Sequence, residues 1–92
     1  MTYQLRQNYP NPFNPETRIS FEIPEIQDVT LVIYNVLGQK VRTLINESYK
    51  AGRHVVNWDG LSESGVRVPT GMYFYRIKAG SFIETKKMLM VK

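Results

Sequence analysis

Thr17-Arg18-Ile19-Ser20-Phe21-Glu22-Ile23 sets Ile19, Phe21 and Ile23 on one side of an extended chain and Arg18, Ser20 and Glu22 on the other. A repeat of two is the signature of a strand with one face buried and one face wet. Pro24 ends it, because proline cannot donate to a ladder. Downstream, Val29 to Asn35 is rich in β-branched and aromatic residues, which predicts a central strand largely covered on both faces. Gly38 supplies a turn into a strand from Gln39 to Ile45, and a polar loop then closes on Ala51-Gly52. Arg53 to Trp58 resumes the alternation with His54, Val56 and Trp58 on one side. After turns at Asp59-Gly60, Gly65 and Pro69-Thr70-Gly71, an aromatic strand runs from Met72 to Ala79. Ala79-Gly80-Ser81 makes a tight return into a last strand from Phe82 to Val91. No stretch holds a helical repeat, and Gly or Pro recurs between short strands. The expectation is an all-β, antiparallel immunoglobulin-like β-sandwich of about seven strands. It carries no disulfide, since the chain has no cysteine.

Trp58 is the expected centre of the core, because an inward-facing indole can touch both sheets. Tyr73 and Tyr75 lie two apart and share a face, so they extend the same aromatic layer. One of their hydroxyls is expected to reach a backbone partner, as in a tyrosine corner.

Upstream of the first alternating strand, Gln7-Asn8-Tyr9-Pro10-Asn11-Pro12-Phe13-Asn14-Pro15 crowds prolines and asparagines around two aromatic residues. Each proline fixes its own φ and biases the residue before it toward extended conformations, which predicts a kinked, polyproline-like path. Tyr9 and Phe13 supply two apolar pegs that a flexible spacer would lack. The organisation read from this is a lead-in over residues 1–16, docked on a sandwich over residues 17–92.

At 92 residues the chain fits one domain with one core. Its longest apolar runs, such as Leu31 to Ile33 and Met88 to Val91, fall far short of the roughly 20 residues of a spanning helix, so no membrane insertion is expected. Met1 to Tyr9 lacks the apolar core of a signal peptide. The formal charge of +4 comes from twelve Lys and Arg residues scattered along the chain, with only Lys86-Lys87 adjacent. Nucleic-acid binding is not expected, because it calls for a basic helix or stacking platform.

Catalytic chemistry finds no foothold. His54 is the single histidine, and it shares a strand face with Val56 and Trp58, as a packed or rim residue does. Acid–base catalysis and metal binding need converging partners that the sequence does not supply. The carboxylates Glu16, Glu22, Glu25, Asp28, Glu47, Asp59, Glu63 and Glu84 are dispersed one to a turn or strand. Asp59, Ser62 and Glu63 share one loop with oxygens suited to calcium, but Asp-Gly followed by Ser-Glu-Ser-Gly is also ordinary turn chemistry. The expectation is a non-enzyme with no cofactor and no metal.

Five segments carry a family resemblance. They are the lead-in from Gln7 to Pro15, Ile33 to Val41, Ala51-Gly52-Arg53-His54 with Trp58-Asp59-Gly60, Gly71 to Arg76, and Thr85-Lys86-Lys87-Met88. In this order the chain resembles the C-terminal sorting domains of type IX secretion substrates. The resemblance implies an Ig-like β-sandwich at the end of a larger exported protein, sent through the periplasm to the bacterial cell surface. The implied partners are the outer-membrane secretion machinery and an upstream cargo domain of the same polypeptide. It also assigns recognition to the last strand, with Lys86, Lys87, Met88, Leu89, Met90, Val91 and Lys92 as the residues concerned.

The run from Trp58-Asp59-Gly60 to Pro69-Thr70-Gly71 also resembles the Ig-like domain of flagellar hook-capping proteins. That likeness implies the same sandwich used as a structural module. An adhesive module that binds carbohydrate or protein through Tyr3, Tyr49 and Phe74 is a related alternative. The lead-in and the ending at Lys92 favour the sorting reading.

Overall fold

The computed structural model describes residues 2–91. The alternating segment after the proline-rich lead-in forms β2 (Thr17–Ile23), with Ile19, Phe21 and Ile23 all fully buried. β2 is the middle strand of a three-stranded sheet, flanked by β1 (Gln4–Leu5) and β5 (Gly52–Trp58). The facing sheet has the order β4 (Lys40–Tyr49), β3 (Gln27–Tyr34), β6 (Gly71–Ala79), β7 (Phe82–Met90). All pairings between these strands are antiparallel, and no helix occurs among the described residues. The expected all-β sandwich of seven strands is therefore the fold. Among the described residues there is no helix long and apolar enough to cross a membrane.

The core lies where the alternating faces meet. Ile19, Phe21 and Ile23 of one sheet face Leu31, Ile33, Tyr75 and Ile77 of the other, all buried. Trp58 is fully buried at the end of β5, with its ring 5.6 Å from Phe13 and 5.7 Å from Tyr73. Its Nε1–H donates to the Leu61 carbonyl at 3.0 Å, so burial leaves no donor unsatisfied. Both core tyrosines bond to backbone: Tyr73 Oη donates to the Pro69 carbonyl at 2.6 Å and Tyr75 Oη to the Arg6 carbonyl at 2.8 Å.

Three details differ from the sequence reading. β1 is a two-residue strand whose Leu5 pairs with Phe21, too short to show any alternation of its own. β4 continues past Ile45 to Tyr49, because pairing with β3 extends through residues whose side chains are mostly polar and exposed. It absorbs its length with two bulges, the partners of Leu31 and Val32 being Ile45 and Thr43, and those of Ile33 and Tyr34 being Arg42 and Lys40. The outer face of β3 is covered by its neighbours' side chains rather than by another layer, Val32 being flanked by Thr43 and Arg76.

Between β4 and β5 the chain crosses from one sheet to the other through Lys50 and Ala51 alone. The loop after β5 folds back over the outer edge of β4. Glu63 N–H donates to the Val41 carbonyl at 2.9 Å, and the Glu63 carboxylate accepts from Thr43 N–H at 3.0 Å. An edge strand closed in this way offers fewer unpaired groups to other chains.

Candidate functional site

β7 alternates across its sheet. Phe82, Glu84, Lys86, Met88 and Met90 point toward the facing layer, and Ile83, Thr85, Lys87 and Leu89 point away from it. Met88 and Met90 are buried core residues, and Leu89 is half-buried. Lys86 is half-buried and pairs with Glu84 at 3.3 Å. Lys87 and Val91 are exposed, and Lys92 lies outside the described residues. The strand thus divides the recognition residues expected from sequence into core anchors and a few accessible positions.

The lead-in crosses from the three-stranded sheet to the edge of β7. It starts along β2, where Arg6 N–H donates to the Ser20 carbonyl and Tyr9 and Arg18 exchange both backbone hydrogen bonds at 2.9 Å. Asn8 is buried, and its N–H donates to Tyr75 Oη at 2.8 Å. Its side-chain amide donates to Thr17 Oγ1 and to the Pro10 carbonyl, while Thr17 Oγ1 donates to that same carbonyl. This network locks a turn whose backbone groups have no sheet partner of their own. Phe13 then inserts beside Trp58 and is buried. Tyr9, the other aromatic peg expected from sequence, is 70% exposed. The Tyr9–Pro10, Asn11–Pro12 and Asn14–Pro15 peptide bonds are cis, where the sequence reading has a polyproline-like path.

Along β7 the lead-in reaches the backbone groups that face away from β6. Phe13 N–H donates to the Leu89 carbonyl at 2.9 Å, and Val91 N–H donates to the Phe13 carbonyl at 3.0 Å. Asn11 Oδ1 accepts from Leu89 N–H at 3.0 Å, and Gln7 Nε2 donates to the Lys87 carbonyl at 2.8 Å. The amide-rich composition of the lead-in was visible in the sequence. Its role as an edge cap was not, because carboxamides serve turns equally well.

The register of the four-stranded sheet gathers charge. Lys87 pairs across with Phe74, Arg76 with Thr85, Lys78 with Ile83, and Lys40 with Tyr34, so all four cations sit on the outer face. None of them is in an ion pair among the described residues, whereas Arg6, Arg42, Arg53 and Lys86 each are. A shallow groove of about 320 Å³ lies on this face at its β3–β4 turn end, lined by Tyr34, Asn35, Val36, Phe74, Arg76 and Thr85.

Burial pushes the Tyr75 phenol up to about 12, with the Asn8 N–H opposing the shift. Glu22 sits below its usual range because the Arg6 and Arg53 guanidinium groups hydrogen-bond to it, at 3.0 and 2.9 Å. His54 packs on the rings of Tyr49 and Phe21, and its Nε2 donates to the Lys50 carbonyl at 2.7 Å, which fixes it as a rim residue. In the 59–63 loop, Asp59 Oδ1 accepts from Arg42 at 2.8 Å and from Leu61 N–H at 3.0 Å. With Glu63 bound to Thr43, those carboxylates serve the fold, and no cluster of metal-ligating side chains occurs among the described residues. Of the aromatic residues considered for adhesion, Tyr3 stacks on Phe82 at 5.2 Å, Tyr49 packs on Phe21 and His54, and Phe74 is half-buried on the outer face.

The same sandwich occurs in known proteins. Dimeric latent PorU from Porphyromonas gingivalis contains it with a TM-score of 0.79 and 22% identity, covering 98% of this chain and 9% of that one. PorZ, an essential bacterial surface component of the type-IX secretion system of the same organism, gives 0.65 and 15%, covering 94% of this chain and 11% of PorZ. At these identities the likeness is one of fold, and this chain spans about a tenth of the length of either protein, 9% and 11%. No curated protein matches it. Residues 8–81, most of the chain, match the model of the FlgD Ig-like domain, and the protein belongs to that family.

Proposed function

We propose that this domain is a non-catalytic sorting module that directs a larger exported protein through type IX secretion to the bacterial cell surface. The observation that carries the reading is the fold shared with a domain of PorZ, a surface component of that system, over nearly all of this chain. The motifs of the lead-in and last strand support it, since the structure hydrogen-bonds these two segments to each other. A non-catalytic role is supported by where the buried polar groups go: Asn8, Thr17 and Glu22 all hold strands and turns together. The partners of such a module are an upstream cargo domain and the outer-membrane secretion machinery.

Fusion of the domain to an inert periplasmic reporter in a type IX-competent bacterium tests the proposal. Surface display of the wild-type fusion is expected, with retention on charge reversal at Lys86 and Lys87. A wild-type fusion that stays in the periplasm would overturn it. The family match favours a second reading, a structural Ig-like module within a larger assembly. That reading predicts that the cargo assembles or adheres normally in a host lacking the secretion system.

A further inference from the structure

The lead-in caps only part of the β7 edge. The groups that face away from β6 belong to the odd-numbered residues, as the bonds to Lys87, Leu89 and Val91 show, and the β6–β7 register runs without a bulge. By the same parity the N–H and C=O of Ile83 and Thr85, and the N–H of Lys87, face outward. None has a hydrogen-bond partner among the described residues. The gap from Ile83 to Lys87 spans about 14 Å at the rise of an extended strand. Ile83 is 48% exposed there, and Thr85 and Lys87 are exposed. Lys87, Arg76 and Lys78 lie on the outer face beside the gap and are in no ion pair among the described residues; Asp28 shares a hollow with Lys78 at the far end of that face, and Glu84, on the opposite face of β7, is held by Lys86.

Resting on the role proposed above for β7, we infer that the Ile83–Lys87 edge is a strand-addition site for an extended acidic peptide of a partner protein. The backbone decides the class of partner. Unpaired N–H and C=O groups that alternate along an edge are matched by another polypeptide in the extended conformation, which a nucleic acid or glycan cannot reproduce. The charge decides the composition. An added strand places every second side chain on the outer face, directly beside Lys87 and one strand removed from Arg76 across Thr85, where carboxylates are favoured and cations opposed. The Asn11 and Phe13 cap bounds the site at Leu89, and the Gly80-Ser81 turn bounds it at Phe82, so about five residues of the partner can pair.

The test uses two N-acetylated seven-residue peptides, one alternating glutamate and valine and one alternating lysine and valine, with amide exchange and fluorescence anisotropy as readouts. Saturating Glu–Val peptide is expected to slow exchange at Ile83, Thr85 and Lys87 by about tenfold or more, because those amides are otherwise unbonded. The Lys–Val peptide should leave them unchanged. Affinity should fall at least about tenfold in Lys87→Glu, and several-fold between about 0.05 and 0.5 M salt. Thr85→Pro should abolish binding while keeping the β6–β7 ladder, since the lost N–H faces outward. Its urea midpoint reports folding, and if it does not fold, Lys87→Glu and the wild-type exchange data decide. Equal binding to wild type and folded Thr85→Pro overturns the inference. So does equally tight binding of an oligothymidylate without edge protection, which would indicate a general polyanion surface. Slowed exchange that depends on protein concentration without peptide would instead assign the edge to a second copy of the chain. Reporter export with no peptide binding refutes the edge site alone, whereas peptide binding with a retained reporter refutes the sorting role alone.

Discussion

The hydroxyl of Tyr75, buried in the four-stranded sheet, donates to the Arg6 carbonyl and accepts from the Asn8 N–H, both at 2.8 Å. One side chain thereby fastens the lead-in to the opposite layer of the sandwich. Asn8 N–H is buried at this point, so nothing else can serve it if the hydroxyl is removed.

Tyr75→Phe should therefore destabilise the domain by about 1–3 kcal/mol, the cost of leaving a buried backbone donor unpaired. Urea unfolding measures it, and a change below about 0.5 kcal/mol would show that the bridge is not made in solution. The wild type should also lose stability at alkaline pH. The folded phenol is raised to about 12 from its usual 10.0, so the folded state retains a proton that the unfolded chain releases. Its stabilisation is complete below the unfolded value of 10.0 and declines as pH rises toward about 12. Tyr75→Phe should flatten that decline.

Phe13 and Trp58 are fully or almost fully buried and in ring contact, so each truncation opens a cavity that the surroundings refill only in part. Trp58→Ala and Phe13→Ala should each cost about 3–5 kcal/mol in urea unfolding. Because Trp58 is the chain's one tryptophan, its fluorescence reports the pocket directly. In Phe13→Ala that emission should shift to the red as solvent reaches the indole, with limited proteolysis falling first within the lead-in. Unchanged emission would place Phe13 elsewhere.

Gly60 has φ +78, and an added Cβ would come within 2.8 Å of both Met90 Cε and the Pro15 carbonyl. The strained backbone and the contact with main chain both oppose any side chain. Gly60→Ala should lower stability by at least about 1–3 kcal/mol, read as a drop in thermal midpoint. Gly65→Ala, with φ +82 and nothing within 4 Å, should carry the backbone strain alone and cost less. Equal losses would remove the packing argument.

Glu22 is shared by Arg6 and Arg53, at 3.0 and 2.7 Å, which joins β5 through β2 to the lead-in. Its folded pKa is lowered from the usual 4.5 by hydrogen bonds from Arg6 first and Arg53 second. The stabilisation is present above the unfolded value and is lost as pH falls through the lower folded one. The thermal midpoint of the wild type should fall on acidification below about pH 4.5, and that of Glu22→Gln should fall less steeply there. Parallel curves would show that the triad contributes nothing.

The local repeat was enough to identify most strands and their inward faces. Ile19, Phe21, Ile23, Trp58, Tyr73 and Tyr75 sit in the core because a period of two is a property of each strand taken singly. Turn chemistry was as local, and the breaks fell at or near Pro24, Gly38, Gly52 and Gly80 for that reason. The two-residue β1 had no period to read, and the reach of β4 to Tyr49 came from its partner rather than its own composition.

What the tertiary structure alone decided is which edges meet. Gln7 caps a carbonyl 80 residues away on β7, a pairing no local pattern encodes, since it depends on how two sheets stack. The cations Lys40, Arg76, Lys78 and Lys87 are scattered in sequence and share a face only because strand register brings them together. Alternation fixes the side of a strand on which a residue lies. Its neighbours across the ladder are set by long-range hydrogen bonds that exist only once the chain has folded.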